Sequence, residues 1–184
     1  MANPASTLPG LVVALQNYRD AVKRIEERQN CWNNTTKELV AGRLLALSDD
    51  LKPLKVVTQD EGKNCDWVAF GFMPTPTRIV IPEGEGAKGL NRMGPWLSYS
   101  QMLNGQIRVS ISYPFIAELD DAGPDEQIAI LDPEEIDEEK ILKHVGQFLK
   151  AITTAETECS PSTAEHESRP PFGFNPKAQL DQAT

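Results

Sequence analysis

The chain has 184 residues, 40% of them hydrophobic, and carries 27 acids against 18 bases for a net charge of −9. That length and composition suit one globular domain with a sizeable core. A pI of about 4.8 excludes the basic footprint that a nucleic-acid binder needs, and no apolar run reaches the length of a membrane span.

The first helix is expected from about Pro9 to Arg28. Leu11, Leu15, Tyr18, Val22 and Ile25 recur at alternating spacings of four and three, opposite a solvated face of Asn17, Asp20, Lys23, Arg24 and Glu27. Pro9 fits a first turn, where its missing N–H costs nothing. Cys31-Trp32-Asn33-Asn34 interrupts the pattern. Thr35 with Glu38 forms a capping-box pair for a second helix, whose stripe is Leu39, Val40, Leu44, Leu47 and Leu51 and which Pro53 stops. The short connection points to a helical hairpin, with one kinked helix as the alternative.

The period then becomes strand-like. Lys55 to Gln59, Cys65 to Met73 and Thr77 to Ile81 read as an antiparallel meander, with Gly71 marking close packing or a bulge. Glu83-Gly84-Glu85-Gly86-Ala87-Lys88-Gly89 lacks the spacing of a phosphate-binding loop and reads as a flexible connection or contact loop. Next comes a hairpin, Trp96–Leu103 and Gln106–Tyr113 around Asn104-Gly105. A two-residue type I′ turn there pairs Met102 with Ile107, Ser100 with Val109, Ser98 with Ile111 and Trp96 with Tyr113 on a buried face. Gln101 with Arg108, Tyr99 with Ser110 and Leu97 with Ser112 then fall on a wetter face, making Tyr99 and Arg108 a candidate contact patch. Trp67 and Trp96 read as core residues. Phe115 to Glu118 extends the hairpin past Pro114, and Gln127 to Leu131 is a candidate edge strand. Asp132, Pro133 and Glu135 look like the start of a last helix with a core stripe of Ile141, Val145, Phe148 and Ile152.

Glu118 to Glu139 holds eleven acids and no Lys or Arg, so the other 16 acids are balanced by the 18 bases. Six of the eleven sit at the start of the last helix, where the helix dipole favours them. Glu118, Asp120, Asp121, Asp125 and Glu126 are left around Ala122-Gly123-Pro124. They read as a solvated turn or as a docking face for a basic partner; their spacing does not fit an EF-hand loop.

Cys31, Cys65 and Cys159 are too scattered for a disulfide framework or a zinc site. With no secretory pattern in Met1 to Gly10, they point to a reducing, cytoplasmic location. His144 lies beside the stripe of the last helix and reads as a boundary residue packed on the core. No nucleophile–base pair is legible, although Asp66 or Glu118 is open to carboxylate chemistry.

Residues 156–184 have the composition of a disordered tail. Within it, Arg169-Pro170-Pro171-Phe172-Gly173-Phe174-Asn175-Pro176 is a candidate docking motif, with Arg169, Phe172 and Phe174 as its contacts.

These elements define one α+β domain over residues 8–155. It has an antiparallel sheet of five or six strands, with two N-terminal helices and one C-terminal helix on one face. Their order resembles that of the small acidic helix-and-sheet secretion chaperones, which carry a helix where this chain has the Gly-rich loop. The functional expectation is a non-catalytic cytoplasmic binding protein (adaptor, chaperone or inhibitor) facing a basic protein partner. It needs no cofactor, metal, nucleic acid or membrane. The alternatives are an accessory subunit anchored by its tail and a small-ligand or metal-binding enzyme using carboxylates.

Overall fold

The computed structural model describes residues 8–59, 66–84, 86–119 and 122–157. Helix α1 (Leu8–Cys31) runs through a π turn (Trp32–Thr36) directly into α2 (Lys37–Asp50). Cys31, Thr36 and Lys37 all have right-handed helical backbone, and the Lys37 N–H donates to the Trp32 carbonyl. The expected hairpin is therefore absent. The Thr35–Glu38 capping box has no role because no helix begins there and the backbone donors keep intrahelical acceptors. The π turn lets Trp32, Thr36, Val40, Leu44 and Ser48 be buried at steps of four. The Thr36 hydroxyl donates to the Pro133 carbonyl at 3.1 Å, which ties this turn to the far end of the chain.

Five antiparallel strands form the main sheet: β1 (Lys55–Gln59), β2 (Trp67–Gly71), β5 (Trp96–Gln101), β6 (Ile107–Ser112) and β8 (Glu126–Leu131), in the order β1-β2-β5-β6-β8. The second strand of the meander, the hairpin and the edge strand lie where the sequence placed them. One face carries Val56, Val68, Phe70, Leu97, Tyr99, Ile107, Val109, Ile111 and Leu131. Against it pack Trp32, Val40 and Leu44, together with Ile141, Val145, Phe148 and Ile152 of α3 (Glu138–Thr157). Phe70 and Phe148 meet edge to face with centroids 6.2 Å apart. Fully burying side chains of this size contributes roughly 1.5–3 kcal/mol each, before the entropy of ordering them.

The hairpin register differs from expectation by one residue. Tyr99 faces Val109, Leu97 faces Ile111 and Ser98 faces Ser110. The loop has three residues, not two: Met102 N–H donates to the Gln106 carbonyl at 2.8 Å and Gly105 N–H to the Met102 carbonyl at 2.9 Å. Within this loop only Gly105 has positive φ, at 79°, so the turn has the type I plus G1-bulge pattern and not type I′. A one-residue slip exchanges the two faces of a strand. Leu97 and Tyr99, expected on the wetter face, are wholly buried. Trp96, Ser98, Ser100, Ser110 and Ser112 share the opposite face.

A second sheet in the order β3-β4-β7 stands at the end of the first: β3 (Thr75–Glu83), β4 (Gly86–Met93) and β7 (Phe115–Ile116). Of the Gly-rich segment expected to be a flexible loop, Glu83 ends β3 and Gly86 to Gly89 open strand β4. Phe115 and Ile116 pair with Met93 and Arg92 of β4 and do not extend β6. The β3–β4 arm leaves the main sheet where Gly71 and Gly94 lie too close to the Pro95 and Phe72 carbonyls for any Cβ to fit. Gly71 thus marks close packing.

The last helix also starts later than its acidic signature suggests. Pro133–Glu135 is a 3₁₀ turn, in which the Glu135 carboxylate accepts from the Asp132 N–H at 3.0 Å. Asp137 caps α3 by accepting from the Lys140 N–H at 2.8 Å.

A candidate binding groove on the serine face of the sheet

The face of the main sheet away from the helices carries a groove of about 300 Å³, lined by Val57, Trp67, Ala69, Trp96, Ser98, Ser100 and Ser112. Strand alternation puts these side chains together. Trp67 pairs with Ser100, Ala69 with Ser98, and Trp96 with Ser112. Small residues between two indoles leave a trough, and the Ser98 and Ser110 hydroxyls hydrogen-bond each other at 2.9 Å beneath it.

The acidic turn reaches this groove. The Ser112 hydroxyl, on the groove wall, donates to the Asp125 carboxylate at 2.7 Å. One residue further on, the Tyr113 hydroxyl donates to the Glu126 carboxylate, and that bond to a carboxylate pushes the Tyr113 pKa up to about 12. Glu118 lies apart from this pair and forms an ion pair with Lys88 of β4 at 3.1 Å. Glu118 and Glu83 hold the Lys88 ammonium above its ordinary range. Asp120 and Asp121 fall outside the described residues, as do Arg169, Phe172 and Phe174.

The proposed contact pair of Tyr99 and Arg108 is split between the two faces. Tyr99 lies in the core, its hydroxyl 3.0 Å from His144 Nδ1. Burial raises its pKa well above the usual phenol range. Arg108 is exposed and pairs in register with Ser100 and Ile130 on the serine face. His144 packs against the core as expected of a boundary histidine, and burial holds its imidazole below the usual range, with Lys143 and Lys140 adding to the effect.

Asp66, a candidate for carboxylate chemistry, is engaged in the fold. It accepts from the Trp32 indole N–H at 3.0 Å and pairs with the Lys37 ammonium at 2.5 Å. Among the described residues, no three His, Cys, Asp or Glu side chains converge as a metal site requires. No described helix is long and apolar enough to cross a membrane. A second cleft of about 310 Å³ lies between the base of the β3–β4 arm and the end of α3, beside the Arg92–Glu156 ion pair.

Assigning Trp67 and Trp96 to the core hid the groove from sequence reasoning. The signal that would have found it is the alternation of Ser98, Ser100, Ser110 and Ser112, two to a strand. Small polar residues at every second position suit an exposed trough better than a core. No protein-family model, curated protein or solved structure matches this chain.

Proposed function

We infer that this protein is a non-catalytic binding module, an adaptor or chaperone in kind, that takes a lysine- or arginine-bearing segment of a partner protein along the serine face of its sheet. One observation carries this reading: the Ser112–Asp125 hydrogen bond brings the acidic turn to a groove walled by Trp67 and Trp96. Indole faces attract a cation by roughly 0.5–1 kcal/mol where exposed and about 2 where desolvated. A carboxylate at the rim adds long-range attraction for the same charge. Serine hydroxyls along the floor offer donors and acceptors to an extended backbone.

Trp67 and Trp96 line the groove while Trp32 is wholly buried, so the intrinsic fluorescence reports on occupancy. Titration with a lysine- and arginine-rich peptide should quench this emission, and added salt should weaken the effect as it screens exposed charge. An Asp125→Asn/Glu126→Gln variant, altered only at exposed positions, should bind several-fold more weakly. Equal quenching by a glutamate-rich peptide, or unchanged affinity in the variant, would exclude the reading.

A further inference from the structure

The N-terminal half of α1 projects from the domain. The hairpin turn packs on the helix at Ile25 and Arg28, where a Cβ on Gly105 would meet the Ile25 carbonyl and the Arg28 Cβ. The Arg28 guanidinium fastens that point to Asp132 at 2.8 Å. Upstream of it every residue from Gly10 to Ala21 is exposed. Leu11, Val12, Val13, Leu15 and Tyr18 are 50–67% exposed, an apolar load that a solvated helix does not need.

Three of these five residues, Leu11, Leu15 and Tyr18, lie on one line. Leu11, Leu15, Tyr18, Val22 and Ile25 follow the alternating four-and-three spacing of a coiled-coil seam without a polar interruption, and one heptad beyond Ile25 stands the fully buried Trp32. The stripe that faces the core at Trp32 therefore continues outward, for about 21 Å from Ile25 to Leu11 at 1.5 Å per residue, past any described residue that would cover it. Ala14 and Ala21, also exposed, flank the seam seven residues apart and leave room for a second backbone.

We propose that the occupant of this seam is the same helix of a second copy of the chain, so that α1 is the dimerisation element of a two-fold symmetric dimer. Three observations favour a second copy over other partners. The seam is regular and apolar, hence self-complementary across a two-fold axis. The helix surface from Gly10 to Glu27 carries three basic residues (Arg19, Lys23, Arg24) and three acidic ones (Asp20, Glu26, Glu27). Two copies therefore meet without net repulsion despite the −9 charge of the whole chain. A helix that lies on an anionic membrane would instead need a polar face rich in Lys and Arg.

The area is also adequate. Leu11, Leu15 and Tyr18 on the seam, with Val12 beside it, offer on the order of 400 Å² per copy, within the range of the largest patch on a monomer. With the flanking alanines and the stem of Arg19, the surface approaches the roughly 800 Å² that each partner gives to a standard interface. The proposal does not depend on the groove, which lies on the sheet face away from the helices.

The test is the solution mass of the full chain by light scattering or sedimentation over a concentration series. Wild type should reach twice the 20.3 kDa chain mass. A Leu15→Asp/Tyr18→Asp variant should fall to the single-chain mass with unchanged thermal unfolding of the core, because both side chains are exposed in the isolated chain. It should also keep the wild-type response to the basic peptide, which separates failure of the dimer from failure of the groove. A dimer that survives the double substitution overturns the proposal, since another surface then holds it. So does a wild type that stays at single-chain mass throughout. In that case, co-flotation with vesicles of equimolar phosphatidylcholine and phosphatidylglycerol would reassign the seam to a lipid surface, and lack of flotation would reassign it to a different protein.

Discussion

Tyr99 and His144 share a buried hydrogen bond of 3.0 Å between hydroxyl and Nδ1, joining the centre of the sheet to α3, with their ring centroids 5.8 Å apart. A tyrosine on the wetter face of the hairpin would leave His144 without this partner. The bond therefore depends on the one-residue register set by the Leu103-Asn104-Gly105 loop.

Stability should fall on mild acidification through His144. Its imidazole is held below the ordinary histidine value of about 6.5, so the unfolded chain takes up that proton more readily than the native one. The His144 contribution is complete above the ordinary value and is lost as pH falls through it toward the native pKa. Asp132, held low by Arg28 and Gln106, loses its contribution only as pH falls through the ordinary carboxylate range and below. It is silent between about pH 7.5 and 5.5. Urea midpoints across that interval should drop for wild type and drop less for His144→Gln; parallel declines would remove His144 as the cause.

Gly105→Ala should destabilise the fold by about 1–2 kcal/mol from the left-handed backbone alone, and by more from the clash. The new Cβ would sit 2.7 Å from the Arg28 Cβ. Gly42 offers the opposite case. It lies in α2, is exposed, and has nothing within 4 Å of an added Cβ. Gly42→Ala should therefore stabilise by up to about 1 kcal/mol through helix propensity. Chemical denaturation of both variants checks the pair, and a shift of the same sign in both would contradict it.

Asp66→Ala should cost about 1–3 kcal/mol, because it leaves the indole N–H of wholly buried Trp32 unpaired beside the π turn. Asp66→Asn keeps an acceptor for that N–H and gives up the charge that faces Lys37, so its cost should be smaller. Equal losses in the two variants would show that the Lys37 pairing, and not the Trp32 hydrogen bond, is what matters.

Local periodicity made much of this molecule legible. The stripe Ile141, Val145, Phe148 and Ile152 announced α3, and all four residues are buried. Asn104-Gly105 located the hairpin, and the change of period after Pro53 separated helices from strands, which is enough for the α+β class but not for strand β4 or the second sheet it builds. Three features depended on contacts across the chain. Trp32 is buried with its indole bonded to Asp66, and Thr36 with its hydroxyl bonded to the Pro133 carbonyl, and that holds α1 and α2 in one rod where local signals suggested a break. Gly105 closes a three-residue turn against Arg28, 77 positions earlier, and so selects which face of each hairpin strand meets the core. Pairing of β2, β5 and β6 sets Trp67, Trp96 and the serines side by side, with Asp125 at the rim. Helix and strand patterns are written within a few residues of each other. Register, helix continuity and grooves follow from which distant surfaces exclude water together, and only the folded chain decides that.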